Sequence, residues 1–579
     1  MTRPDGRVPT PQTIAMRTAT RALRCHLDTL PINVTIDVTG DRFLAGLAFM
    51  SARHRYDCAE SIIGAGFGGT VLGSMARSLL VDGLRWLWIG GQPERRRALL
   101  GDLLEERNRI CVTVEETGAS CPILTRWLMP LPNVADLTGE SLTWLDAPSM
   151  PSEDELLEGL FTSAATNPPL PTPSGQHSTL LQQARGLLDI PGLRGAAMVL
   201  AHAGHGNYLG LLSSLTDDGA PGHDLRADHE ALFLQVAAAG VTTTLLGTAA
   251  ALPDSWPPEV VREPFVRRAV ELAANVAAAA AAIHGLATRR PVHAQARKTS
   301  PPHRAILLRP HAVLATDTLL PDTNSADAVI TAAEEYYEVA RSATINPWEY
   351  GNPSLHSMLT YGGGHSNLQT VISTYDQPGS AVISVFAARM LLEEAARLLW
   401  RFAAPDSFEL RAKQHFDEYR ARQKKTTDTL ANGGVPRAVA QRIFQRPRNV
   451  MILTADDTIA KGRRPLPSIN VMLREMGEPY PEPGWLEVAY SLLSQITHST
   501  PLGQLHTVRF RNATWSGNEL SPEMLALALD AACLGSAHLI GLSAVILTQM
   551  SNEANAYRQN LLQHAAAVHD AARLVHGLD

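Results

Sequence analysis

The side chains best suited to chemistry in this chain are arginines and histidines that occur in matched pairs. The run Ala76-Arg77-Ser78-Leu79-Leu80-Val81-Asp82-Gly83-Leu84-Arg85-Trp86-Leu87-Trp88 returns without a gap as Ala388-Arg389-Met390-Leu391-Leu392-Glu393-Glu394-Ala395-Ala396-Arg397-Leu398-Leu399-Trp400. Further along, His205-Gly206-Asn207-Tyr208-Leu209-Gly210 returns as His498-Ser499-Thr500-Pro501-Leu502-Gly503. A guanidinium suits the anchoring of a phosphate or other anion, and an imidazole titrating near neutrality suits general acid–base work. In the later copy Tyr490, Ser494 and His498 fall at i, i+4 and i+8, which places two hydroxyls and an imidazole on one helical stripe. Ala197, Ala201 and His205 occupy those steps in the earlier copy, so the second copy is the better candidate for an active one. A purely structural reading stands beside this one. In it Arg77 and Arg389 pair internally with Asp82, Glu394 or an acid elsewhere, because an unpaired buried charge is very costly, and His498 closes its own helix before Pro501.

The elements that must position these groups read as helices. Arg77, Leu80, Leu84 and Leu87 lie at i, i+3, i+7 and i+10, as do Arg389, Leu392, Ala396 and Leu399, so each arginine sits on or beside an apolar face. Helical spacing predicts helices over 12–30, 70–89, 94–108, 228–252, 264–284, 326–341, 381–402, 407–430, 484–497, 521–549 and 551–577. Short β-like runs occur at 34–38, 110–114 and 450–454, too few for a large sheet. Breakers cluster at 146–177, at 286–325, and at 431–448 with 461–483. Two blocks repeating in the same order predict a tandem duplication. The expected fold is mostly α, with two homologous helical bundles, 1–285 and 326–579, joined by a Pro-rich basic linker over 286–325 and packed as an intrachain pseudo-dimer.

Composition supports this layout. A chain of 579 residues exceeds what one core usually supports. Its 45% hydrophobic and 18% charged residues suit globular packing. A net charge of −7 provides no global field for nucleic acid or an anionic membrane, so any such binding needs a local patch. Five cysteines, at 25, 58, 111, 121 and 533, form no CxxC pair, and no metal and no cofactor are expected. The opening residues lack the apolar core of a signal peptide, and the apolar stretches 270–283 and 531–548 read as buried helices. The expectation is a cytoplasmic protein without a membrane span.

Here the residues reach a resemblance. The pattern R-x-L-L-E-x-x-x-R, carried by Arg389, Leu391, Leu392, Glu393 and Arg397, is followed by Y-x-L-L-S-x-x-x-H-S, carried by Tyr490, Leu492, Leu493, Ser494 and His498. Together they resemble the uncharacterised all-helical bacterial families grouped with HEPN-like domains, over roughly 60–250 and 380–550. The first copy keeps Arg77, Leu79, Leu80, Arg85 and His205. The resemblance implies a helical bundle, frequently paired, and in active members metal-independent RNA cleavage by an arginine and a histidine. Those members hold both in an R-x4–6-H motif on one helix, a spacing found here at Arg558 and His564, at Arg21 and His26, and at Arg297 and His303, where Pro301 and Pro302 exclude a helix.

Two further motifs bear on function. From 411 to 464, thirteen basic residues accompany five acidic ones, a region able to hold RNA through phosphate contacts unless folded acids balance it. Ile62-Ile63-Gly64-Ala65-Gly66-Phe67-Gly68-Gly69 matches a dinucleotide fingerprint, which needs a strand before the glycines and an acid after the next strand. Its downstream segment 86–89 aligns with residues expected to be helical, so both readings cannot hold. His223, His229 and Glu230 lack a third ligand at suitable spacing. The sequence therefore leads to a site in which Arg389 takes a phosphate and His498 transfers a proton, Arg77 and His205 being their counterparts. Its product is an RNA-binding or RNA-cleaving protein of a defence or stress pathway, with a protein partner allowed. A non-catalytic helical interaction protein and a flavin or nicotinamide enzyme using the Gly64–Gly69 stretch are the alternatives.

Overall fold

The computed structural model describes residues 10–29, 40–63, 65, 68–90, 92–117, 149–162, 176–205, 208–211, 225–252, 259–286, 326–342, 355–377, 379–402, 408–443, 466–478, 484–511, 514–517 and 519–577. The fold is mostly α. In chain order the helices are α1 Pro11–Asp28, α2 Gly40–Ile62, α3 Gly69–Gly90, α4 Arg97–Thr117 after a 3-10 turn at Pro93–Arg96, α5 Glu153–Thr162, α6 Gln176–Leu187, α7 Leu193–Gly204, α8 Tyr208–Leu211, α9 Ala227–Ala251 and α10 Glu259–His284. They continue as α11 Asp327–Ser342, α12 Leu355–Thr374, α13 Val382–Phe402, α14 Phe408–Asn432, α15 Arg437–Ile443, α16 Ile469–Gly477, α17 Trp485–Thr497 and α18 Pro501–Leu505. A hairpin of β1 Val508–Arg511 and β2 Thr514–Gly517 follows, antiparallel with Val508 opposite Gly517, and then α19 Pro522–Leu547 and α20 Asn552–His576.

Local chemistry explains several starts. Thr10, Thr500 and Ser521 each accept a backbone N–H of their helix's first turn, at 3.2, 3.1 and 3.0 Å, and each is followed by proline at the first helical position. That pairing satisfies an orphan donor and fixes φ where no N–H is needed. Both α7 and α17 start after a left-handed glycine, Gly192 and Gly484, and end with a histidine as the C-cap residue.

The core is organised around two long apolar helices. α9 packs along α3, and α19 along α13. By length and composition both could cross a membrane, but 94% of each apolar window is enclosed by the rest of the protein, as befits a core helix. Glycine lets the helix backbones touch. A β-carbon on Gly240 of α9 would lie 2.4 Å from the Leu79 carbonyl oxygen, and one on Gly535 of α19 would lie 2.8 Å from Leu391 and Leu392 backbone atoms. Gly240→Ala should therefore cost about 3 kcal/mol of stability, within the range of overpacked sites, and Gly535→Ala less. Chemical denaturation of the two variants checks this, and an unchanged Gly240→Ala midpoint would refute the close approach.

Helices also cross between the earlier and later parts of the chain. α4 packs on α17 and α18, while α14 packs on α7. Gly192 N–H donates to the Gly433 carbonyl at 2.7 Å, and the His202 ring lies 3.1 Å from the Thr426 hydroxyl. α3 and α13 touch directly.

Several expectations need correction. Residues 110–114 are helical, inside α4, because their apolar pair Ile110 and Cys111 continues a helix face packed on the core. Segments 34–38, 450–454 and most of the linker, 287–325, lie outside the described residues. α2, α5, α6, α8, α12, α15, α16, α18 and the hairpin were not expected, and α5, α15 and α16 form within stretches whose prolines and glycines read as breakers. α12 carries Gly362, Gly363 and Gly364, a run that by local propensity alone signals a turn. The two inner glycines lie against Leu211 and against Leu539 and Ile540, so packing outweighs the helix cost of about 0.5–1 kcal/mol per glycine.

Candidate active site

The site begins with Arg389 on α13, which is 2% exposed. Burying a guanidinium requires acceptors, and the surrounding elements supply them. Nε donates to Ser494 Oγ at 3.0 Å, Nη1 to the Gly204 carbonyl at 3.0 Å and Nη2 to Tyr490 Oη at 2.8 Å. One turn on, Glu393, 1% exposed, lies 3.3 Å from Arg389 and accepts from Arg397 at 2.5 Å and from Tyr490 Oη at 3.0 Å. Both of its oxygens lie 3.1 Å from His205 Nδ1. The i, i+4, i+8 spacing of Arg389, Glu393 and Arg397 makes this ladder on one helix face.

Electrostatics fix the protonation states. Burial would push the Glu393 carboxyl up, but His205, Arg397 and Arg389 hold it well below the usual carboxylate range. Burial drives the Tyr490 hydroxyl up to about 12, with Arg389 opposing, so it stays protonated and can donate to Glu393. Glu393 pulls the His205 imidazole upward, yet burial together with Arg389 and Arg77 leaves it below its ordinary value. A neutral ring with Nδ1–H directed at Glu393 leaves Nε2 as acceptor, 3.5 Å from Arg77 Nη1.

His498 closes the constellation from the end of α17. Burial first, then the charges of Arg389 and Arg77, push its imidazole well below the ordinary histidine value. The ring is half-buried, and among the described residues no group is hydrogen-bonded to it. His205, Arg389, Tyr490, Ser494 and His498 all line one cavity of about 460 Å³. Arg85 of α3, Glu106 and Arg109 of α4, and Glu153 of α5 line the same space, whose walls are polar apart from Val81 and Pro151. Arg77 stands behind Glu153, donating to it at 2.6 and 3.4 Å. A carboxylate-held imidazole, a second imidazole with an unengaged ring and the arginines Arg85, Arg109 and Arg389, set among Glu106, Glu153 and Glu487, form a polar site suited to proton transfer.

The six paired or striped residues singled out in the sequence, Arg77, His205, Arg389, Tyr490, Ser494 and His498, thus meet at one place. The roles of two need revision. Arg389 has its Nε, Nη1 and Nη2 groups directed at protein acceptors, so it braces the site and does not present itself to a phosphate. Arg77 pairs with Glu153, an acid elsewhere in the chain as the purely structural reading allowed, and so is no free phosphate anchor, while Asp82 takes Arg55 and the Ser499 hydroxyl. Arg558 and His564 lie on α20, six residues and therefore about 120° apart around the helix. Neither lines the cavity, and Arg558 packs on Gly541. On α1, Arg21 donates to Glu60 at 3.0 Å, while His26 meets the Phe265 carbonyl at 2.9 Å. Residues 297 and 303 are outside the described set.

Of the glycine motif between α2 and α3, Gly64, Gly66 and Phe67 are outside the described set, and Gly68 stands at φ 72°. Helix α2 stands where a dinucleotide fingerprint needs a strand, and residues 86–89 are helical. In the basic region Arg422 pairs with Glu418, Arg437 with Asp428, and Arg411 and Arg442 donate to backbone carbonyls, while Lys424 and Lys425 are exposed. Residues 444–464 of that region are outside the described set. His229 meets Asp228 at 3.3 Å and Glu230 binds Arg17 at 2.7 Å, whereas His223 is outside it too.

One titration reaches beyond the cavity. Beside Glu393, burial pushes the Glu394 carboxyl up to about 8, with Arg397 and Arg401 resisting and Glu393 reinforcing. The unfolded chain releases this proton near the ordinary glutamate value of about 4.3, so from there to about 8 each rise in pH favours unfolding by up to ~1.4 kcal/mol per unit. Glu394→Gln should flatten that part of the profile. Denaturant midpoints near both ends of the window test it, and an identical pH slope in the variant would refute the assignment.

Compared with known proteins, the chain matches no family model, no curated protein and no solved structure.

Proposed function

We propose that this protein is a metal-independent ribonuclease whose catalytic cavity is shared by two duplicated halves, arranged as an intrachain pseudo-dimer. The observation that carries the reading is that His205 and His498, the paired histidines of the two repeats, line the same cavity beside Arg85 and Arg389. His205, steadied by Glu393, serves as the base that takes the proton of a ribose 2′-hydroxyl at Nε2. The freed oxygen attacks the adjacent phosphorus. Protonated His498 gives its proton to the departing 5′-oxygen, leaving a 2′,3′-cyclic phosphate and a 5′-hydroxyl. Arg389 positions both histidine-bearing turns, and Arg85 offers the phosphate a guanidinium.

The duplication is supported by recurring detail. α1, α2 and α3 correspond to α11, α12 and α13, and α7 to α10 correspond to α17 to α20 without the hairpin. Gly240 meets Leu79 as Gly535 meets Leu391. A β-carbon on Gly210 would lie 2.3 Å from the His202 carbonyl oxygen, and one on Gly503 would lie 2.1 Å from that of Gln495, the matching residue. The crossing of α4 and α14 between halves has the reciprocity of an isologous pair. On this reading the setting is a defence or stress response in the cytoplasm, away from membranes, with RNA also held along Lys424 and Lys425 and a protein activator allowed.

The test is incubation of the purified protein with total and transfer RNA in EDTA. New 2′,3′-cyclic ends are expected. Intact RNA would instead favour a non-catalytic interaction protein, a reading supported by the closed network around Arg389 and Glu393.

A further inference from the structure

The acids on the cavity wall are already matched by cations. Glu153 is held by Arg77 at 2.6 Å, Glu106 by Arg109, and Glu487 by Arg474 at 3.0 Å. Arg389 and Arg397 share Glu393. Arg85 is the more loosely paired cation: its nearest carboxylate oxygen, on Asp102, is 4.0 Å away. Its Nη1 donates to the Ser499 carbonyl at 3.0 Å and approaches the His498 carbonyl at 3.5 Å, which fixes the guanidinium at the turn that bears the His498 ring. Its Nε–H is buried and, among the described residues, has no hydrogen-bond partner.

His498 therefore stands in a crowd of positive charge. Arg77 and Arg85 face it from α3, Arg389 from α13, and the His205 ring from the end of α7. Glu106 and Arg109 of α4, Glu153 of α5 and Tyr490 of α17 complete the wall. Among the described residues its ring meets no hydrogen-bond partner that would favour either protonation state. The cavity space beside it is large enough for a small ligand. An anion entering there would cancel the field that keeps the ring neutral and would offer an acceptor for its N–H.

We infer that the cavity is a proton-coupled anion site: a phosphate- or sulfate-type group docks on Arg85, and one proton enters with it on His498. This inference shares its cavity with the proposed ribonuclease chemistry and supplies the protonated His498 which that chemistry uses, but it requires no cleavage. Anion binding by a protein that leaves RNA intact would refute the ribonuclease reading and leave this one standing.

The probe is sulfate, which does not itself titrate near neutrality. Isothermal titration calorimetry in two buffers of different ionisation enthalpy, near pH 6, gives the protons taken up per anion. Uptake approaching about one proton is expected, with affinity tightening by up to about tenfold per pH unit on acidification. His498→Gln should bind sulfate without uptake and without that pH dependence. Arg85→Gln should weaken binding at least about tenfold, and Arg85→Lys should restore part of it, which separates lost charge from a disturbed fold. Absence of sulfate binding in the wild type overturns the proposal, as does undiminished uptake in His498→Gln.

Discussion

His498→Ala is expected to abolish RNA cleavage in EDTA while leaving the protein folded. Loss of a positioned acid or base typically lowers a rate by about a hundredfold to ten-thousandfold, and the double duty of one cavity leaves no second imidazole to replace it, since His205 is tied to Glu393. The separation of activity from folding rests on geometry. Among the described residues the His498 ring makes no hydrogen bond, and its backbone N–H still meets the Ser494 carbonyl at 2.8 Å after truncation. The expected stability change is below about 1 kcal/mol. Cleavage rates measured beside denaturation curves decide the matter: a folded variant with wild-type activity would remove His498 from the mechanism.

Glu393→Gln should be the most damaging change to the fold near the site. The carboxylate is 1% exposed and counters Arg389 and Arg397, themselves 2% and 11% exposed. Removing one member of such a buried cluster leaves an uncompensated charge and typically costs about 3–5 kcal/mol. Glutamine can still accept from Tyr490, so Glu393→Ala should fall lower still. The variant also carries an internal control. Glu394 lies next in sequence and is kept protonated partly by the negative charge of Glu393, so its carboxyl should titrate at lower pH in Glu393→Gln. Urea midpoints at neutral pH test the main effect, and a loss of less than about 1 kcal/mol would show that the arginines have other means of compensation.

The paired residues were legible in sequence because matched order and spacing are read without knowledge of packing. Arg77 with Arg389 and His205 with His498 stand out by order and spacing alone, and the stripe of Tyr490, Ser494 and His498 follows from helical period. What each residue does was less accessible. Glu393 was visible as part of the arginine pattern, and its place four residues from both Arg389 and Arg397 was a readable sign of an ion ladder. Its grip on His205 was not, because those residues are 188 apart in sequence. Glu106 and Arg109 were hidden for a similar reason: α4 forms part of the cavity by crossing onto α17, and its own sequence resembles any amphipathic helix. The sequence did not announce helices α2 and α12. α12 was obscured by three consecutive glycines, a turn signal by local propensity that packing against Leu211, Leu539 and Ile540 overrides.

The crossing helices also constrain how the protein can be made. α7 is capped by α14, whose residues are translated long after it, so at about 5–20 residues per second its apolar side waits for tens of seconds on the ribosome before its cover exists. During that interval the nascent chain presents half of an interface with no counterpart, a natural client for a holding chaperone. Expression hosts depleted of such chaperones should therefore lose this protein as truncated, aggregated chains more readily than proteins whose early segments close upon themselves.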